Sequence, residues 1–143
     1  ITIPSLGIDR LPVQSNVDST TESVYNSVLR NSLAHFENTG LPISEIKNNI
    51  VIYGHSASPN YNPQVTDPEV AFSYLSNLRV GDEITLEMEG QEYQYKMYRS
   101  KIVEPTDLSI ITGEKNRETL TLFTCYPAGN NAKRYVAVAR PVV

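Results

Sequence analysis

The sequence predicts a single, mainly β domain, built as a barrel or a sandwich, and three observations lead to it. Short runs rich in β-branched and aromatic residues recur at 50–53, 83–88, 93–98, 120–124 and 135–139. Turn chemistry punctuates them at Asn48-Asn49, Gly81-Asp82, Glu89-Gly90 and Gly129-Asn130, the pattern of strands folded back on one another. Size and composition complete the set: 143 residues with 40% hydrophobic content make one ordered domain that can bury most of its surface around one core. No internal repeat, low-complexity tract or linker divides the chain, so residues 1–143 are read as one domain.

Taken in chain order, residues 21–29 place Val24, Val28 and Leu29 at helical spacing behind a Thr21 cap, which predicts a short helix. The run Asn49-Ile50-Val51-Ile52-Tyr53 predicts a buried strand that hands Gly54 and His55 to a polar, Pro-rich loop at 56–68. Residues 67–75 begin with Asp67, Pro68 and Glu69, a cap, a first-position proline and an acidic first turn, and predict a second short helix. Met88-Glu89-Gly90-Gln91 reads as a tight hairpin turn. Residues 102–118, with Pro105, Thr106, Leu108, Ile110 and Ile111, form a long connection. It reads equally as the apolar wall of a groove or as a loop packed by its own side chains. The runs 120–124 and 135–139 flank Pro127, Gly129, Asn130 and Asn131, a second hairpin.

The second hairpin carries chemistry. Strand alternation puts Thr121, Phe123 and Cys125 on one face, and Arg134, Val136 and Val138 on one face of the returning strand, so Cys125 and Arg134 flank one mouth. A lone cysteine is by itself more often a small core hydrophobe than a nucleophile. It becomes a candidate nucleophile where a histidine and an orienting group stand elsewhere in the chain. Two histidines are present. His55 follows a buried strand at the edge of a loop, where functional residues concentrate, and is preferred over His35, which sits between Ala34 and Phe36 like a structural imidazole.

The charge pattern excludes other classes. Twelve basic against sixteen acidic residues give a net charge of −4 with no basic cluster, so neither nucleic acid nor an anionic membrane surface is an expected partner. One cysteine excludes an internal disulfide, and the usual zinc spacings are absent, so no cofactor and no metal are expected. No apolar stretch approaches the ~18–20 residues of a membrane span.

Several ordered motifs resemble those of the sortases, cysteine transpeptidases of bacterial cell surfaces. They are Ile3-Pro4-Ser5-Leu6-Gly7-Ile8, Thr39-Gly40-Leu41-Pro42, Asn49-Ile50-Val51-Ile52-Tyr53-Gly54-His55 and Phe72-Ser73-Tyr74-Leu75-Ser76-Asn77-Leu78 with Val80-Gly81-Asp82. Val103-Glu104-Pro105 and Thr119-Leu120-Thr121-Leu122-Phe123-Thr124-Cys125 follow, and the stretch from Arg134 to Ala139 closes the series. The resemblance implies a closed β-barrel of about eight strands with one or two short helices. It also implies a catalytic set of Cys125, His55 and Arg134, with Thr124 helping to line the oxyanion region. The implied reaction cleaves a sorting signal resembling Leu-Pro-x-Thr-Gly after the Thr through a thioester on Cys125. The acyl group then passes to an amine of a peptidoglycan precursor or a pilin. The implied partners are surface proteins bearing that signal, and the implied form is a monomeric soluble domain. The implied location is the outer face of the bacterial membrane, with any N-terminal anchor outside this chain.

The chemistry of that set is physically coherent. A free thiol has a pKa near ~8.5, so little thiolate is present at neutral pH unless a nearby cation stabilises it. An imidazolium or a guanidinium supplies that cation, and the imidazole protonates the departing amine. A guanidinium also stabilises an oxyanion or holds substrate carbonyls in register. Departures from the family pattern narrow the expectations. Residues 14–22 lack the Asp-Pro-aromatic lid motif of pilin-polymerising members, and Ser56 stands where many members carry Arg. Cys125-Tyr126-Pro127 most resembles class D, and Glu104, Asp107 and Glu114 are scattered rather than arranged as the calcium ligands of class A. Two alternatives stand beside the transpeptidase: a hydrolytic cysteine peptidase with the same triad, and a non-catalytic β-barrel binding module in which Cys125 is core.

Overall fold

Five consecutive buried residues, Asn49–Tyr53, make β3 the centre of the molecule in a computed structural model that describes residues 1–42, 48–56, 67–114, 117–126 and 132–142. A strand buried on both faces reads as a continuous apolar run, which is what Ile50-Val51-Ile52-Tyr53 supplies. Around it the chain builds one seven-stranded sheet in the order β1-β2-β3-β6-β7-β5-β4. The strands are β1 (Val13–Val17), β2 (Leu33–Phe36), β3 (Asn49–Tyr53), β4 (Glu83–Met88), β5 (Gln91–Val103), β6 (Thr119–Tyr126) and β7 (Lys133–Pro141). The helices are α1 (Glu22–Leu29) and the single turn α2 (Ser109–Thr112), with 3₁₀ segments at Pro4–Leu6 and Pro68–Asn77.

The fold is mainly β with few helices, as expected; among the described residues it is a curled sheet of seven strands, slightly less than the closed barrel of about eight that the resemblance implies. Its edges are β1 and β4. Beside edge strand β4 the chain start makes a single bridge, in which Thr2 and Thr85 exchange backbone hydrogen bonds of 2.9 Å. Pro4 then opens the 3₁₀ turn; it has no N–H to continue a ladder, so pairing stops there.

Both faces of the sheet are covered, and alternation assigns each residue to one of them. The inner face gathers Ile50 and Ile52, Leu120 and Leu122, Ala137 and Ala139, and Tyr95 and Met97. They pack with Ile3, Phe72 and Leu75 into the main core. Burying a side chain such as Phe72 or Leu75 completely stabilises the fold by about 1.5–3 kcal/mol. The outer face carries Tyr53, Phe123, Val136 and Val138. It is covered by α1 through Leu29 and by α2 through Ile110.

Local chemistry explains where elements match the sequence reading and where they depart from it. The β4–β5 hairpin turns through Glu89 (φ 53°) and Gly90 (φ 80°), the positive pair that a two-residue hairpin loop requires. β5 runs well beyond residues 93–98 and absorbs an irregularity between Met97 and Arg99. Helix α1 forms, yet Thr21 makes no side-chain cap. Asp18 instead accepts from the Thr20 and Thr21 N–H groups and the Thr20 hydroxyl, which holds its carboxyl down at about 2. Val24 is exposed, and the face that packs is Tyr25, Val28 and Leu29. Residues 67–75 do carry the expected cap, since Asp67 accepts from Glu69 N–H at 3.1 Å. The segment is nevertheless 3₁₀ rather than α-helical, broken at Val70 and Tyr74 by non-helical dihedrals. β1 and β2 are strands that the sequence reading left without assignment. The turn Pro127, Gly129, Asn130, Asn131 and most of the loop at 56–68 lie outside the described residues.

Candidate active site

β3 and β6 run parallel, with Tyr53 opposite Phe123, so both strands deliver their next residues at the same end of the sheet. The two rings stack on the outer face, centroids 5.1 Å apart and planes at 20°. Tyr25 and Phe36 meet the Tyr53 ring edge-on at 6.2 and 6.0 Å. The Tyr53 hydroxyl shares a 2.6 Å hydrogen bond with Ser19, and burial pushes its pKa up to about 12, so it stays neutral. This aromatic floor fixes the strand ends. The next outward positions are His55 on β3's exit and Cys125 on β6.

β7 returns antiparallel with Arg134 directly opposite Cys125. Residues directly opposite in an antiparallel pair project from the same face with Cβ atoms about 4.5–5.5 Å apart. Thiol and guanidinium therefore share one side of one rung. Cys125 is partly exposed and in no disulfide. Arg134 donates to the Lys133 carbonyl at 3.0 Å.

The exit of β3 is tied to β6 by three bonds. Gly54 N–H donates to Phe123 O at 3.4 Å, Thr124 Oγ1 to Gly54 O at 2.8 Å and Ser56 Oγ to Cys125 O at 3.1 Å. On its other side Gly54 leaves room for the core, since a Cβ there would stand 2.5 Å from Leu33 Cδ2 of β2. Thr124 is buried and its hydroxyl is engaged in this clamp.

His55 receives a partner from α1: its Nε2 lies 3.1 Å from Asn26 Oδ1. Asn26 Nδ2 points to Glu22 Oε1, one helical turn back, at 3.5 Å. A carboxylate only accepts, so the amide presents its oxygen to the imidazole and His55 is the Nε2–H tautomer. Its Nδ1 makes no hydrogen bond among the described residues and is the nitrogen left to exchange a proton. Burial lowers the His55 pKa, and the Glu69 carboxylate pulls it back up.

His35 is built differently. The register Ala34 to Tyr53 and His35 to Ile52 sets it on the inner face, opposite to His55. Its Nδ1 accepts from Asn16 N–H at 2.8 Å, and its Nε2–H reaches Gly40 O at 2.7 Å and Thr39 Oγ1 at 2.9 Å. Burial lowers its pKa, and the Gly40 carbonyl opposes that.

Between α1 and α2 the outer face opens into a cleft of about 710 Å³. One wall is polar, with Ser19, Glu22 and Asn26. The other is apolar, with Pro105, Leu108, Ile110 and Ile111. His55, Thr124, Cys125 and Arg134 all line it. The structure thus brings the four sequence-predicted site residues to one cleft and leaves His35 outside it. Asn26 is the contact the sequence reading missed: within the helical run 21–29 it falls one turn after Glu22, but only the fold brings α1 over the β3 exit. Among the described residues, no group of three or more His, Cys, Asp or Glu stands close enough to hold a metal. None of their helices is long and apolar enough to cross a membrane.

Known proteins with similar sequence or structure share one fold and one family name. The family model described as "Sortase domain" matches residues 1–142. Sortase D of Bacillus subtilis (strain 168) is 32% identical over 109 residues, covering 72% of this chain and 55% of its own length. Sortase A of Bacillus anthracis is 29% identical over 136 residues, covering 95% and 55%. The chain thus spans about half the length of these curated relatives. Among solved structures, sortase C1 of Streptococcus agalactiae superposes with a TM-score of 0.78 at 28% identity, over 99% of this chain and 65% of that one. A Clostridium perfringens sortase D5 transpeptidase gives 0.74 at 25% identity, over 99% and 76%. The names span three subclasses.

Proposed function

Because this chain belongs to the sortase family, we propose that it is the catalytic domain of a cysteine transpeptidase in which Cys125 is the nucleophile, His55 the proton carrier and Arg134 the oxyanion or substrate clamp. One observation carries the reading: Cys125 and Arg134 are opposed on one rung, and His55 leaves the neighbouring strand on the same face, all lining one cleft. Family membership supports a transpeptidase acting at the cell surface. The finer statements below are this proposal's own.

The sorting signal, of the Leu-Pro-x-Thr-Gly kind, lies extended in the cleft. The Cys125 thiolate attacks the carbonyl carbon of Thr, and the tetrahedral oxyanion forms against the Arg134 guanidinium. The C–N bond then breaks. The imidazolium of His55 gives its Nδ1 proton to the departing amine, leaving a thioester on Cys125. An acceptor amine attacks the thioester, His55 takes the amine's proton, and the thiolate leaves with a new amide formed. Asn26 holds the imidazole in the tautomer that keeps Nδ1 available. Thr124 serves the oxyanion region through its main chain and its clamp on Gly54, because its hydroxyl is already engaged. The aromatic floor under His55 and Cys125 keeps both heads registered.

Partners follow from the same reading: surface proteins carrying the signal, and an amine on a peptidoglycan precursor or a pilin. The location follows as the outer face of the membrane, and Cys125-Tyr126-Pro127 favours a class D assignment within the family.

Mass spectrometry of the domain with a Leu-Pro-x-Thr-Gly peptide library, with and without an added amine, tests this. The expected result is a thioester on the wild type that amine converts to ligated peptide, and none on Cys125→Ala, whose melting temperature stays close to wild type. Turnover retained by Cys125→Ala sinks the nucleophile assignment. Adducts that resolve only to hydrolysed peptide, whatever the amine, favour a peptidase. No adduct together with an inert thiol favours a silent binding module.

A further inference from the structure

Asn49 is a buried polar residue that the reaction does not touch. It opens β3 on the outer face, and all of its amide's capacity is filled. Oδ1 accepts from Thr119 Oγ1 at 2.8 Å and Thr121 Oγ1 at 2.7 Å, both buried on β6. Nδ2 donates to Ile110 O at 2.8 Å and Ile111 O at 3.0 Å in α2. Carbonyls cannot donate, so the nitrogen must face α2 and the orientation of the amide is fixed.

Those two carbonyls are the ones that α2 itself leaves open. In a single helical turn the last C=O groups have no partner further along the helix, and here the chain leaves through Gly113. Gly113 has φ +65°, and a Cβ on it would stand 2.5 Å from Asn49 Cβ and 2.7 Å from Cγ. Glycine is therefore required twice, for its dihedral and for the close approach. Ile110 adds an apolar contact with Val136 and Val138. The apolar wall of the cleft, Pro105, Leu108, Ile110 and Ile111, is thus hung on the catalytic sheet at one buried amide.

From this we propose that Asn49 is a specificity-determining positioning residue: by holding the α2 turn at a fixed height over β3 and β6, it sets the width of the cleft opposite α1 and so selects the apolar residue of the bound peptide. The proposal rests on the transpeptidase reading for its substrate and on the amide's four bonds for its mechanism. Asn49 opens the strand whose far exit carries His55, so it acts on binding and leaves the catalytic set in place.

The test uses Asn49→Asp, which keeps the shape and the acceptor for both threonines but removes both donors to α2. The second variant is Gly113→Ala, which pushes α2 off Asn49 without altering the sheet. Three quantities are measured: kcat and KM with a Leu-Pro-x-Thr-Gly peptide, the same with its leucine replaced by alanine, and the rate of Cys125 alkylation by iodoacetamide. Both variants are expected to raise KM roughly tenfold with kcat little changed, the signature of lost uniform binding. Discrimination between the leucine and alanine peptides should collapse toward unity, while alkylation stays at the wild-type rate. A purely structural Asn49 would lower stability and leave that discrimination intact, which overturns the proposal; so does alkylation that slows in parallel with peptide turnover. If the wild type acylates with no peptide, the transpeptidase reading fails by itself. Amide hydrogen exchange at residues 108–113 then decides the anchoring: faster exchange in Asn49→Asp upholds it, and unchanged exchange overturns it.

Discussion

The two histidines occupy opposite faces of one sheet; His35 is buried and His55 half-buried, and what separates them chemically goes beyond depth. Burial is the leading influence on both, and it lowers the pKa of both. The difference is hydrogen-bond occupancy. On the inner face, His35 has a backbone donor on Nδ1 and two acceptors around Nε2, so any change of protonation breaks a bond. On the outer face, His55 is held at Nε2 alone, and its other nitrogen faces a cleft shared with Cys125 and Arg134. A saturated imidazole is a strut, and a half-saturated one beside a thiol is a proton carrier.

Replacing each histidine sharpens that comparison most. His55→Ala is expected to lower kcat/KM by about 10²–10⁴, the range of general acid–base catalysis, with little change in melting temperature. His35→Gln is expected to do the reverse. Leaving buried donors or acceptors without partners costs about 1–3 kcal/mol of stability, while the folded fraction keeps its kcat/KM. Parallel peptide-cleavage assays and thermal melts check both, and equal activity losses would collapse the contrast between the faces.

Next in size is Arg134→Lys. Lysine keeps the charge opposite Cys125 but loses the planar fork, so kcat should fall by roughly 10²-fold, the scale of one oxyanion donor. A variant within a factor of two would reduce Arg134 to an edge charge.

Much of this arrangement is legible in the sequence, and what is not has physical reasons. Hydrophobic runs at 50–53, 83–88, 93–98, 120–124 and 135–139 mark five strands, and the Glu89-Gly90 pair marks a hairpin, because these signals are local. Cys125 and Arg134 are found by alternation along two strands joined by a turn. β1 escapes because Val13-Gln14-Ser15-Asn16-Val17 is polar and mostly exposed at a sheet edge. β2 is only four residues long. The bridge of Thr2 to Thr85 extends no further along β4 because Pro4, two residues on, opens a 3₁₀ turn and has no N–H to donate. Asn26 and Asn49 are visible as residues but not as contacts. Their partners lie on other elements, and nothing in the local pattern around an Asn reports which carbonyl or imidazole will come to rest beside it.

The shared direction of the histidine shifts predicts how stability depends on pH. Both folded-state pKa values lie below the ordinary ~6.5, so below that value the unfolded chain binds protons that the folded one refuses. The histidine contribution to stability should be level above about pH 6.5 and be lost as pH drops through the folded values. His35→Gln should remove one part of the histidine slope in melts taken across pH, and His55→Ala the other part. A melting temperature that rises on acidification through this window would contradict both shifts.

The smallest expected effect isolates the outer face. Glu69 lies on the 3₁₀ segment and raises the His55 pKa through space against the lowering by burial. Its carboxylate favours the imidazolium, so Glu69→Gln should move the His55 limb of the kcat/KM profile to lower pH. Glu69 is exposed and water screens its field, so the displacement should be a fraction of a pH unit. Salt provides the internal control. At ~1 M ionic strength the Debye length shrinks to about 3 Å, and the wild-type limb should move to that of the variant. His35 has no such carboxylate among its influences, so the same substitution should leave the His35 share of the stability slope untouched. A limb displaced upward would contradict a favourable Glu69 field, whereas a downward difference that survives high salt would mean that Glu69 reaches His55 by contact rather than by field, and the outer-face histidine would then be held at two points like the inner one.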